Sequence, residues 1–246
     1  MEIKTITSVS EYLIDYLRVE IITGRLAPGE KIKEYQLAGA LNVSRPILRE
    51  VLRTLESEYL VDSIPRKGSY VSNISLEDFL EIYEIREMIE CKAVELLKSK
   101  RVSVEPLLDE AIERESNLRV PSSGAPLRDY YDFFEKGLNF HLMLVNASGN
   151  RRLSQYYQGI QHNLLRYHVI LGSKNLEKEV VIDHSDIAAS LANGHYGKAK
   201  KILRAHINEH AQIIMKNIET QASLEAPLAS SNRSLSIRRP GLRRQD

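Results

Sequence analysis

The chain has 246 residues, enough for one large domain or two modest ones. Hydrophobic residues make up 43% and charged residues 27%, which suits packed cores under an ordinary polar surface, and the net charge of +1 does not by itself point to a nucleic-acid partner. No apolar run is long enough to cross a bilayer, the first residues carry acids and no small-residue cleavage site, and the single cysteine, Cys91, can form no internal disulfide, so a cytoplasmic protein is expected.

In chain order, residues 8–23 place Val9, Tyr12, Leu13, Tyr16, Leu17, Val19 and Ile21 at helical spacing, with a serine to cap the start and Gly24 to end it. Pro28-Gly29 marks a turn. Residues 34–41 read as a short helix with Leu37, Ala38 and Leu41 inward, and Asn42 can take the left-handed conformation of a tight turn. Ser44 is placed to cap the next helix, whose buried stripe runs through Leu48, Val51, Leu52 and Leu55. Arg45, Arg49 and Arg53 step by four along its other face. Leu60-Val61 and Ser69-Tyr70-Val71 then read as two strands joined by the tip Pro65-Arg66-Lys67-Gly68. Two short helices, a turn and a basic hairpin describe a winged helix-turn-helix over residues 1–74. Arginine suits this role because its planar fork matches the two acceptors of guanine in the major groove. Arg45 and Arg49 are therefore the expected readers, with Ser44 beside a phosphate and Arg66, Lys67 and Gly68 positioning the wing on the backbone.

From Ser75 the pattern turns helical. Helices are expected near 76–99, 104–118, 127–147, 151–171, 176–193 and 196–220, with Ser75 and Asp78 resembling a capping box. The predicted fold is mainly α: the winged helix, then a six-helix bundle over 75–222. Residues 223–246 are Ser/Arg/Pro-rich without periodicity and are expected to be a disordered basic tail. Basic and acidic residues number 10 and 10 in 1–74, 19 and 21 in 75–222, and 5 and 2 in the tail, so the DNA argument rests on where the arginines sit.

The line SRPILREVLRTLESEYLV, preceded by EKIKEYQLAGALNV and followed by PRKGSYV, is similar to the GntR family of bacterial transcription regulators. The helical segment behind it resembles the FCD effector domain of the FadR-like subgroup. The features that recur in order are Pro28-Gly29, Leu37-Ala38, Val43-Ser44-Arg45, Arg49-Glu50, Leu52, Leu55-Glu56 and Gly68. The sequence departs from the family in three places here. Pro46 follows Arg45 directly, Tyr59 stands where a glycine is usual, and Tyr35 stands where relatives often have arginine. Tyr35 can still offer a hydroxyl to a phosphate. The resemblance implies a homodimer on a short palindromic DNA operator, controlled by a small acidic metabolite, with repression the expected sense.

The resemblance also implies a divalent metal held by one aspartate and three histidines from separate helices. His141, His184 and His206 fall at the matching places, and Zn or Ni suits such a donor set. The position of the aspartate, one turn before His141, is Gly137, with no acid at a spacing that replaces it. His210, one turn beyond His206, is a substitute nitrogen, while His162, His168 and His195 carry no pattern. Arg86 occupies a place where the family often keeps an arginine facing the cavity, and a guanidinium there could hold a carboxylate in two-point fashion. The competing reading of Arg86 is an intrahelical pair with Glu87 or Glu90. Two other functions compete. One is a winged-helix interaction protein without DNA binding, suggested by Tyr35, Tyr59 and Pro46. The other is a metalloenzyme using the histidine trio, which would need a general base that no motif supplies.

Overall fold

A computed structural model of the chain describes residues 8–104, 109, 113, 120–122, 124–172 and 184–231, the last eleven by backbone alone. Helix α1 (Val9–Ile22) opens with a capping box in which the Ser8 hydroxyl accepts the Glu11 amide and the Glu11 carboxylate accepts the Ser8 amide. Helix α2 (Glu34–Ala40) ends where Asn42, at φ 54°, lets Val43 and Asn42 donate back to Ala38 and Gly39, as expected of that asparagine. Helix α3 (Arg45–Ser57) buries Leu48, Val51, Leu52 and Leu55. Its end uses the same device: the Leu60 amide donates to Leu55 and the Tyr59 amide to Glu56, with Tyr59 at φ 59°. A glycine would meet no Cβ penalty in that conformation, so the tyrosine is accommodated with strain rather than excluded.

Ser44 departs from expectation. It stands at the N-terminal cap of α3, but its hydroxyl accepts no amide of the helix. Pro46 in the first turn has no N–H, which removes one of the two amides a capping oxygen normally takes.

Strands β1 (Val61–Ile64) and β2 (Gly68–Val71) pair antiparallel in the register Val61 with Val71 and Ile64 with Gly68. The tip turns through Arg66 at φ 65° and Gly68 at φ 101°, and the Lys67 amide closes it on the Ile64 carbonyl. The segment before α2 adds a bridge between Lys31 and Tyr70. One hydrophobic cluster lies beneath these elements, from Leu13 and Leu17 through Leu48, Leu55 and Leu60 to Val71.

The bundle is built from α4 (Leu76–Lys100), α5 (Leu127–Ala147), α6 (Arg151–Tyr167), α7 (His184–Ala192) and α8 (Tyr196–Ser231). The Ser75 hydroxyl caps α4 by accepting the Asp78 amide, the serine half of the expected box. The expected helix 151–171 is α-helical only to Tyr167 and continues as a π-turn over His168–Gly172. Helix α8 does not stop near 220. It runs through Ser231, so residues 223–231 are helical rather than the start of a disordered tail. Ala222, Leu224, Glu225 and Ala226 are helix formers that extend a helix already nucleated by packing. Most of the predicted helix 104–118, residues 173–183 of the 176–193 region, and the tail beyond 231 lie outside the described residues. The bundle core takes Phe79 and Tyr83 from α4, Phe133 and Phe140 from α5, Leu164 from α6 and Leu203 from α8, and it also includes Ile22 at the end of α1.

Candidate functional site

Two sites emerge from this arrangement. On the winged helix, Arg45, Arg49 and Arg53 are all exposed on α3, opposite its buried stripe. Arg66, Lys67 and Gly68 are exposed at the wing tip, and Tyr35 is 79% exposed at the start of α2. Arg49 is not free: its Nε lies 2.9 Å from the Glu34 carboxylate. The other Glu34 oxygen accepts the Ser69 hydroxyl at 3.3 Å, so one acid joins α2, α3 and the wing strand. Sequence reasoning missed Glu34, because nothing in its own spacing brings it beside position 49. The pair fixes the direction of the guanidinium while leaving half of it exposed.

The second site is inside the bundle. His141 from α5, His184 from α7 and His206 from α8 converge, all buried. Nε2 of His184 lies 3.0 Å from Nε2 of His141 and 3.3 Å from Nε2 of His206. Phe140 stacks on His184 with ring centroids 4.1 Å apart and holds that ring flat. Nδ1 of His141 lies 2.7 Å from one Glu90 oxygen, while Arg86 Nε holds the other at 2.8 Å. Pairing with the guanidinium keeps the carboxylate an acceptor, so His141 donates through Nδ1 and its Nε2 carries the lone pair. Of the two readings of Arg86, the structure shows the intrahelical pair, with Glu90. Arg86 also lines the cavity, where its Nη1 has no hydrogen-bond partner among the described residues.

Burial dominates the electrostatics. It holds His141 and His206 well below the usual imidazole value, and the Arg86 guanidinium adds to the effect. Burial, with Arg86 and neighbouring imidazoles, lowers His168 and His210 to about 3. Burial raises Glu90 although Arg86 opposes it; burial works to lower Arg86, but Glu90 together with the Tyr157 and Tyr83 hydroxyls raises it on balance. Neutral imidazoles are the form that ligates a metal.

The donor set suits a divalent ion. With Zn–N bonds of about 2.0–2.1 Å, tetrahedral ligand nitrogens stand roughly 3.3 Å apart and octahedral neighbours roughly 3.0 Å apart, which is the spacing of His184 from each of the other two, and all three donor atoms lie within 4.8 Å of one another. Gly137 lines the same cavity, so no carboxylate comes from that position. Among the described residues an acid near the trio is Glu90, which reaches His141 rather than the ligand position and lies 51 residues away in sequence. His210, the substitute nitrogen, and His168, set aside in the sequence, also line the cavity. The one signal for His210 was its spacing from His206, and His168 had none, because its position depends on the π-turn.

Comparisons with known proteins bear on the family and the fold. Residues 10–71 match the family model "Bacterial regulatory proteins, gntR family", and residues 81–209 match the FCD domain. The HTH-type transcriptional regulator YdhC of Bacillus subtilis is 27% identical over 82% of this chain and 89% of its own length. The Nta operon transcriptional regulator of Aminobacter aminovorans is 28% identical over 78% of this chain and 87% of its own. Among solved structures, E. coli McbR/YncC superposes with a TM-score of 0.66 at 19% identity, covering 85% of this chain and 98% of that one. A GntR transcriptional regulator from Rhodococcus sp. RHA1 gives 0.65 at 22% identity, covering 84% and 97%. These relatives are transcriptional regulators and not enzymes, which sets the metalloenzyme reading aside. The chain belongs to the gntR family of bacterial regulatory proteins, as a DNA-binding transcriptional regulator whose second domain is an FCD domain.

Proposed function

We propose that this regulator acts as a homodimer on a palindromic operator and that a small carboxylate, bound in the histidine-lined cavity, changes its operator affinity, with repression in the free state. Arg45 and Arg49 read base edges, Ser44 meets a phosphate through its amide, and Tyr35, Arg66, Lys67 and Gly68 position the backbone. His141, His184 and His206 hold Zn or Ni through Nε2, and the ion supplies a Lewis-acidic position for an anion. Arg86 supplies the second point of attachment. The observation that carries the effector reading is the unpartnered Nη1 of Arg86, a residue 2% exposed that lines the cavity together with the three histidines. A buried N–H without an acceptor is costly, so an anion that satisfies it gains affinity.

The test begins with duplexes taken from the DNA flanking the protein's own gene, followed by fluorescence anisotropy. Arg45→Ala and Arg49→Ala should each weaken specific binding by about 1–3 kcal/mol and leave the melting temperature unchanged. Affinity equal to wild type for both variants removes the operator reading. Calorimetric titration with Zn(II), in wild type and His184→Ala, tests the cavity separately.

A further inference from the structure

The cavity beside the histidine trio holds about 20 Å³, room for one water or a bare ion. Anything larger must move a wall. Two of its walls rest on the π-turn. His168 is the first residue of that turn. Phe134 leans on the last, Gly172, so closely that a Cβ there would stand 3.1 Å from the phenyl ring. His168 is tethered as well: its Nδ1 donates to the Leu164 carbonyl at 2.7 Å, and its Nε2 faces the Tyr83 hydroxyl at 3.4 Å. Displacing either wall pulls on the turn.

The residues just before the turn face the other way and grip the joint between wing and bundle. Arg166 donates through Nη1 to the Ser72 hydroxyl at 2.6 Å and through Nη2 to the Ser72 carbonyl at 2.7 Å. The Tyr167 hydroxyl lies 3.0 Å from the Ser75 carbonyl, 2.8 Å from the Asp78 carboxylate and 3.3 Å from the Ser75 amide. One turn earlier, Asn163 donates to the Glu58 carbonyl at the end of the DNA-facing helix.

We propose that the π-turn at His168–Gly172 conveys occupancy of the cavity to the DNA-binding domain, and that Arg166 is the residue that carries it. This deepens the effector reading given above and rests on it. A π-turn contains one more residue per turn than an α-helix, and such turns cluster at functional sites. Relaxing it to α-helical geometry turns the residues before it by about 100° relative to those after it, enough to take Arg166 off Ser72. The grip is poised to release. Arg166 is buried, pairs with a hydroxyl and a carbonyl, and leaves its Nε without a partner among the described residues. Water can rehydrate such a cation readily. An occupant too large for the resting cavity opens the latch, while a bare ion does not.

The experiment is hydrogen exchange with mass spectrometry on the full chain, comparing peptides that span 72–78. Arg166→Leu should speed exchange there by about tenfold or more while peptides inside α3 keep their rates. Gly172→Ala is the wedge: from the π-turn it pushes on Phe134, a wall of the cavity, and touches no residue of 72–78, yet it should speed exchange in the same peptides by about threefold or more. His168→Ala, which removes the other wall, replaces it if the wedge variant does not fold. Unchanged exchange in Arg166→Leu means there is no latch. A response to Arg166→Leu without one to the cavity variants means the latch is not joined to the cavity, and either result overturns the proposal. Neither DNA nor effector enters this measurement, so a failure of the effector reading shows itself elsewhere, as an operator affinity that no carboxylate shifts.

Discussion

At the level of single residues, the site owes much to side chains that act through their neighbours. Glu90, fully buried, accepts His141 on one oxygen and Arg86 on the other. It supplies a negative charge that Gly137 cannot, across the imidazole ring from the nitrogen that would meet an ion. Carboxylates in that position orient a ligating imidazole, and Glu90→Gln should weaken Zn(II) binding by about 10–100-fold, measured by competition with a chromophoric chelator. Affinity matching wild type would mean that Glu90 serves Arg86 alone. Tyr59 is the opposite case, a residue whose backbone is at odds with its type. It is 71% exposed at φ 59°, so its side chain packs little and the conformation costs. Tyr59→Gly should raise stability by about 1 kcal/mol in thermal or urea melts. A loss of stability would show that the ring contributes more than its exposure suggests.

At the level of elements, the helices with a clear apolar stripe were legible in the sequence. The bounds of α1, α3 and α5 follow from spacing, because each buries one face and exposes the other. The wing was legible from its turn residues, although the left-handed position at its tip is shared between Arg66 and Gly68. Three things were not legible. The π-turn has the same composition as a helix end, and only packing against Phe134 and Tyr83 distinguishes it. The onward course of α8 past 220 has no periodicity to announce it. The contact between Glu90 and His141 joins two helices and belongs to the tertiary fold. Capping shows the same limit on a smaller scale, since Ser44 and Ser75 look alike in sequence. Only the second hydroxyl accepts an amide, that of Asp78 at 3.1 Å. Ser75→Ala should therefore cost about 1 kcal/mol and Ser44→Ala less than about 0.5 kcal/mol, in matched denaturation curves. Equal losses would restore a capping role to Ser44.

For the whole molecule, the buried imidazoles set its response to acid. Unfolded, His168 and His210 titrate near 6.5; folded, burial first and then nearby positive groups hold both to about 3. A folded value below the unfolded one means the stability is complete above pH 6.5 and is lost as pH falls towards 3. The slope is up to about 1.4 kcal/mol per pH unit for each imidazole that stays neutral in the fold. Melting temperatures across that range check this, and a flat profile between pH 6.5 and 4 would contradict it. The placement of Ile22 has a broader consequence. This residue ends the first helix of the winged module, yet it is fully buried in the core of the bundle. The winged module and the helical bundle are thus not beads on a string. Cutting the chain at 74 would strip Ile22 of its cover and leave a sticky apolar spot on the severed half, so evolution cannot exchange one half for a foreign counterpart without also redesigning that seam.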